Sequence, residues 1–208
     1  MKSQFNLSNF ISVVKAKGLA KVNRFEVQIN PPPALQKFTD DGRLVTLFCE
    51  ISNLPGIAVT TKGQRIYGPA YQKPVSLEYG GEAISMTFYV DTKFATKAFF
   101  DAWIFSIINP NSFNAQYQFK NNRPENTADI IIKQLDDKDN ETYTIKLIDA
   151  FPKAINMMDL NMGALNQTHK LIVTFGYRKW VPTSSSYNYD TLTTPTITDP
   201  MQAIGTII

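Results

Sequence analysis

Reactive side chains are sparse in this chain of 208 residues, which holds one histidine and one cysteine. His169 lies in "THKLIVTFGYRKW", whose alternation sets His169, Leu171, Val173, Phe175 and Tyr177 on one face of a strand. No metal-binding HExxH pattern and no Ser-His-Asp arrangement surrounds it, and a site needs several convergent groups, so it reads as a core or edge histidine. Cys49, in "LFCEISNLPG", has no partner motif and reads as a small buried hydrophobe. "DDKDNE" invites a calcium loop. Counting twelve from Asp136 or Asp137 meets Leu147 or Ile148 where the bidentate glutamate belongs, and the central glycine is missing. It reads as an exposed turn.

Two further features fail as chemistry. Gly80-Gly81 precedes a strand and not a helix, so it cannot cradle phosphate as a P-loop does. Trp103 and its neighbouring phenylalanines have the spacing of a core helix, not of a cofactor box. No enzyme, cofactor or metal is therefore expected. The single cysteine excludes an intrachain disulfide and suits a reducing cytoplasm. No stretch reaches the length of a membrane span, and no apolar run follows the basic N-terminus as a signal peptide requires.

The net charge of +3 is unevenly spread. Residues 1–24 hold Lys2, Lys15, Lys17, Lys21 and Arg24 with no acid, and residues 183–208 hold Asp190 and Asp199 with no base. The body between them is neutral. A nucleic-acid binder wants a concentrated basic face, so this pattern is weak support for one. Oppositely charged ends suit contacts between neighbouring copies.

The elements follow from periodicity. Leu7, Phe10, Ile11 and Val14 form one apolar helical face, with Gly18 as the stop. That short helix is expected to dock on its own fold or on a neighbour. "RFEVQIN" alternates strictly and ends at Pro31-Pro32-Pro33. "VTLFCEIS" predicts a strand with Leu47, Cys49 and Ile51 facing together, and "IAVTTKGQRIYG" an extended polar segment with a bulge or bend at Gly63. "PVSLEYGGEAISMTFYV" predicts a β-hairpin turning at Gly80-Gly81. A helix over about 92–108 follows, capped by Asp91 or Thr92 and ended by Asn109-Pro110. Phe94, Ala98, Ala102 and Phe105 form its apolar face, widened by Phe99, Trp103 and Ile107. "NAQYQF", "TADIIIKQLD", "ETYTIKLIDA" and "THKLIVTFGYRKW" predict four more strands, the second and third joined by a hairpin turn at "DDKDN". After Pro182 the chain loses periodicity and becomes rich in Ser, Thr and Pro. The division expected is a basic arm over 1–22, a β domain over 23–182 and an extended tail over 183–208.

Six phrases carry a more specific signal through their order: "NRFEVQI", "LFCEISNLPGI", "RIYGPAYQKP", "ISMTFYVDTKFATKAFFDAWIFSI", "TIKLIDAFPKAI" and "LIVTFGYRKW". Across residues 23–181 the chain resembles the tail tube protein family of contractile-tailed bacteriophages, including the related baseplate proteins that start the tube. The resemblance implies a mainly β fold, an antiparallel barrel or sandwich of two sheets flanked by one helix. It implies a structural virion protein whose homo-hexameric rings stack into a tube, assembled in the host cytoplasm. The expected neighbours are other tube and baseplate proteins, the sheath and the tape measure protein. The resemblance also implies that DNA transits the lumen without specific binding, and no membrane anchor is expected.

Type VI secretion and contractile injection needles share this architecture and form the alternative; a nucleic-acid-binding module is the second. The basic arm and the C-terminal tail exceed a minimal tube domain and fit an initiator ring as well as a repeated subunit. The polar faces of 75–90 and 127–148 are expected to line the lumen. Contacts between subunits are expected from residues 54–69 and both ends, namely Leu54, Pro55, Gly56, Arg65, Tyr67, Gly80, Gly81, Ile204, Ile207 and Ile208.

Overall fold

The computed structural model describes residues 6–38, 45–65, 67–80, 83–115, 119–120 and 123–183. Its helices are α1 (Leu7–Lys17) and α2 (Ala95–Ile107), with a 3-10 helix at Pro33–Phe38. The strands are β1 (Phe25–Ile29), β2 (Cys49–Ile51), β3 (Gly56–Gln64), β4 (Tyr71–Gly80), β5 (Ala83–Tyr89), β6 (Phe119–Lys120) and β7 (Arg123–Pro124). They continue with β8 (Ala128–Leu135), β9 (Glu141–Ile155), β10 (Lys170–Gly176) and β11 (Lys179–Pro182). Seven strands form one antiparallel, nearly closed sheet in the order β1-β8-β9-β10-β5-β2, with β11 also paired to β9. β3 and β4 form a separate two-stranded ribbon.

The sheet wraps because β9 turns a corner. Its stretch up to Ile148 pairs with β8 and β11, Ala150 still faces Ala128 of β8 across a register shift, and its last residues, from Phe151 to Ile155, pair with β10. Between them Asp149 takes a φ of 55°, in the left-handed region that aspartate tolerates better than most residues. Arg178 closes the corner, its Nε 2.8 Å from Asp149 Oδ2 and its backbone N–H donating to the Ile148 carbonyl at 3.1 Å. At Gly176 an added Cβ would stand 3.0 Å from the Phe151 ring, so a side chain there would have to push that ring aside by a few tenths of an ångström. One bent strand thus serves both halves of the barrel.

Alternation fills the interior. Val27 and Ile29, Ile130 and Ile132, Ile145 and Leu147, Ile84, Met86 and Phe88, and Leu171, Val173 and Phe175 all point inward and are buried. Helix α2 covers them. Its buried face is Thr96, Phe99, Phe100 and Trp103. The Phe100 ring lies 5.0 Å from Phe88 and 5.8 Å from Phe175, and Trp103 is 6.1 Å from Phe175. The Trp103 Nε1–H donates to the Asn126 carbonyl at 2.8 Å, and Asn126 Nδ2 donates to the Ser106 carbonyl at 2.9 Å. The indole is thus packed on one side and satisfied on the other.

Several expectations are corrected. Gly80-Gly81 does not turn a hairpin between β4 and β5, because β4 pairs with β3 while β5 pairs with β10 and β2. The bulge in β3–β4 sits between Thr60 and Thr61 rather than at Gly63. "VTLFCEIS" yields only a three-residue strand, preceded by a helical turn at 45–47, and leaves Leu47 and Ile51 exposed. Of "NAQYQF", Phe119 opens the two-residue strand Phe119–Lys120, Asn114 and Ala115 lie outside any named strand, and residues 116–118 lie outside the described residues.

Helix α2 begins three residues later than expected, at Ala95. The Asp91 carboxylate still organises its entry, accepting the N–H groups of Lys93 and Thr96 at 3.2 Å each. Burial works to raise the Asp91 pKa, but backbone N–H groups led by Thr96 outweigh it and hold the carboxyl below its ordinary value. The start shifts because Phe94, at φ 58°, is left-handed. The helix is also rotated from the expected face, so Phe105 is 54% exposed. Trp103→Ala is expected to cost about 3–5 kcal/mol in urea unfolding, as large aromatic truncations in cores do. Phe105→Ala should stay within about 0.5 kcal/mol, the range for surface changes. Equal losses at the two positions would contradict this helix orientation.

Candidate functional site

The side chains weighed above for chemistry have structural surroundings. The Cys49 thiol is half-buried, and burial pushes its pKa up to about 12, which removes the thiolate a nucleophile needs. The His169 ring meets Phe94 in a tilted contact with 5.9 Å between centroids. In the β8–β9 turn the Asp136 carboxylate accepts the N–H groups of Lys138 at 2.7 Å and Asn140 at 2.9 Å. Bonds from the Asn140 backbone and then its side chain hold the Asp136 pKa below its ordinary value. The other two aspartates of the turn latch the arm: Lys21 lies 2.8 Å from Asp137, and Arg24 2.7 Å from Asp139. Gln134 Nε2 adds bonds to the Lys21 and Arg24 carbonyls, both at 2.8 Å. Among the described residues no group of three or more His, Cys, Asp or Glu could hold a metal ion.

The largest unfilled demand lies on the ribbon. β3 and β4 pair from Gly56↔Gly80 to Gln64↔Tyr71 and, among the described residues, share no backbone ladder with any strand of the large sheet. Register puts Ile57 opposite Tyr79 and Val59 opposite Leu77, so these four share one face. The reverse face carries Thr60 bonded to Glu78, and Lys62 directly opposite Lys73. Ile57, Val59, Val75 and Leu77 are each more than half exposed. A contiguous apolar surface of this kind marks an interaction site rather than scattered surface noise. The Lys62↔Lys73 pair adds like-charge repulsion that the isolated ribbon does not relieve.

The root of the ribbon is fixed. Trp180 on β11 donates its Nε1–H to the Gly56 carbonyl at 3.0 Å and meets Tyr79 edge-on at 6.2 Å. Of the expected contact residues, Leu54, Pro55, Gly56 and Gly80 gather at this root. Arg65 and Tyr67 lie in the connection at the far end, where Tyr67 is 94% exposed and Gly68 takes a φ of 79°. Gly81, Ile204, Ile207 and Ile208 lie outside the described residues.

Sequence reasoning missed the apolar face itself. The alternation of Ile57 with Val59 and of Val75, Leu77 and Tyr79 was its signal, but β4 had been paired with the wrong strand. The arm is a second unmet surface. Asn6 caps α1, its side chain accepting the Ser8 N–H at 3.2 Å, yet none of the helix is buried. Of the two expected seats, its own fold does not receive it, and Leu7 and Phe10 remain exposed in the single copy.

A comparison of sequences now bears on this geometry. The profile of the phage tail tube protein family matches residues 20–183. The chain belongs to the phage tail tube protein family. No curated protein sequence matches it. Among solved structures, this tail tube chain is similar to a chain of an extracellular contractile injection system, the PVC sheath–tube complex in its extended state. The TM-score is 0.55 at 17% identity, covering 83% of this chain and 97% of that one. A chain of the anti-feeding prophage baseplate gives 0.54 at 15% identity, covering 81% and 98%. A chain of the PVC sheath/tube terminator gives 0.52 at 17% identity, covering 80% and 97%. At these identities the likeness establishes the fold, a tail-tube barrel.

Trp180→Phe keeps a ring against Tyr79 but removes the N–H given to Gly56. Amide exchange at 56–60 and 77–80 is expected to rise by roughly fivefold, the worth of about one hydrogen bond. The core strands should be unchanged. Unaltered exchange at the root would show that Trp180 does not anchor the ribbon.

Proposed function

We propose that this tail tube protein is a non-enzymatic subunit of hexameric rings that stack into the tube of a contractile phage tail. The reading covers both a repeated subunit and a tube-initiating ring at the baseplate. The observation that carries it is the β3–β4 ribbon, an apolar surface projecting from a barrel whose own core is already complete. A lone globule gains nothing from it. Repeated copies gain a contact that closes by symmetry.

The proposed assembly forms in the host cytoplasm and joins the tail of the virion. There the sheath surrounds the tube, and baseplate and tape measure proteins are its further partners. The basic arm over 1–22, the β domain over 23–182 and the tail over 183–208 act as a tube body with two extensions. DNA passes along the lumen during ejection. The outward face of β1, β8 and β9 suits that role because its charges are matched. Lys133 pairs with Glu141 at 2.6 Å and Glu26 at 3.8 Å, and Lys146 with Asp129 at 2.8 Å. A wall of paired charges presents phosphates with no run of free cations, so DNA slides rather than sticks.

A second reading keeps the tube and changes the cargo. The similarity of fold to the PVC tube complex favours a subunit of an injection needle that carries protein in place of DNA. The genes flanking this one separate the two readings, since capsid and packaging genes accompany only the first.

Negative-stain microscopy of the purified full chain at rising concentration tests the tube. Rings or stacked tubes are expected. Ile57→Asp combined with Val59→Asp should abolish them while changing monomer stability by no more than about 1 kcal/mol, since both sites are exposed. A persistent monomer that shifts DNA in a salt-sensitive manner would overturn the proposal in favour of a nucleic-acid-binding module.

A further inference from the structure

The connection between β9 and β10, residues 156–169, is a further place where large apolar side chains stand in water. Met157 is 98% exposed, Leu160 82% and Leu165 84%, and Met162 is fully exposed. The segment is nevertheless built. Its first residue is tied in by the Asn156 N–H to the Ile172 carbonyl at 2.9 Å, and Met158 packs against the core. A turn at its tip is held by the Gly163 N–H to Asn161 Oδ1 at 2.8 Å, which presents Met162 outward. Exposed methionine on a shaped turn is an adaptable contact surface, because its unbranched thioether fits irregular partners.

The loop and the ribbon lie at opposite ends of the barrel. β5 pairs with β10 from Ala83↔Gly176 to Tyr89↔Lys170. The ribbon runs into the first end through Gly80, and Trp180 fastens it there. The loop runs into the second end at Lys170. At about 3.3 Å per residue the two ends are about 20 Å apart, too far for one chain to cover its own loop with its own ribbon root. Two different unpartnered apolar surfaces at opposite poles are what a head-to-tail contact requires.

We infer that the 156–169 loop of one copy is the seat for the apolar face of the β3–β4 ribbon of the next copy. The occupant is a second copy of this chain, its ribbon end meeting the loop end. This inference rests on the tube reading above and adds the receiving surface to it.

The test mixes two full-length chains in a Cys49→Ala background, one carrying Val59→Cys and the other Met162→Cys, with tags of different size. A short bismaleimide is added at concentrations where the unaltered protein assembles. A cross-linked heterodimer is expected, and dilution below assembly should remove it. In parallel, hydrogen peroxide oxidation of Met157 and Met162, read by mass spectrometry, should slow by roughly tenfold in assemblies of the unaltered chain, because oxidation follows exposure. Assemblies seen by microscopy without the heterodimer, and with both methionines still oxidised at the monomer rate, would overturn the seat and leave the tube reading standing. Absence of assembly at every concentration would overturn both.

Discussion

Everything in this chain depends on the aromatic wedge that α2 drives into the open side of the barrel. Phe100 and Trp103 sit against Phe88 of β5 and Phe175 of β10, and the Trp103 indole is held from behind by Asn126. Without that wedge the inward side chains of both halves of the sheet would face solvent, and β9 would have no reason to turn at Asp149. With it, the barrel interior is filled, and each ring finds edge or tilted contacts of the kind aromatic quadrupoles favour. The interior is thus complete in a single copy. That completeness makes the exposed surfaces informative.

A filled core and unfilled poles belong to different parts of the energy balance. Beyond Tyr79, which Trp180 meets, the apolar face of the ribbon stands exposed, while its root is held by Trp180, so its direction of projection is set by the barrel. The arm is similar. The ion pairs of Lys21 and Arg24 with the β8–β9 turn fix where α1 departs, while α1 itself stays exposed. Exposed ion pairs contribute little stability, with each such pair worth about 0–1 kcal/mol. Their value here is directional. Rigid bases carrying unsatisfied ends describe a part shaped for assembly, in keeping with a family of tail tube proteins.

Much of the barrel was legible in the sequence because burial alternates strictly there. β1, β8, the first half of β9 and β10 each repeat an apolar residue every second position, and their inward faces fall as that pattern predicts. Two failures have physical causes. Gly80-Gly81 carries a strong local turn signal, but pairing is decided by which faces are buried together, and β5 has its partners in β10 and β2. The face of α2 was misplaced because nearly every position on that helix is apolar. Periodicity cannot choose among Phe94, Phe99, Phe100 and Phe105 when the sheet beneath selects only two of them. The candidate surface was half-read. Breaks at Leu54-Pro55-Gly56 and Gly68-Pro69 marked a segment leaving the sheet, but the role of β4 as its partner is non-local information. Met157, Leu160, Met162 and Leu165 follow no helical or strand period, so only their exposure in the folded chain brings them to notice.

The central claim is that the β3–β4 ribbon is unpartnered in one copy and covered in the assembly. Hydrogen–deuterium exchange of the full chain, compared between a dilute monomer and a concentrated assembly, tests it most directly. Slowed exchange in residues 56–64 and 71–80, with the already protected core strands unchanged, is the expected result. Exchange in the ribbon that is as fast in the assembly as in the monomer would contradict the account.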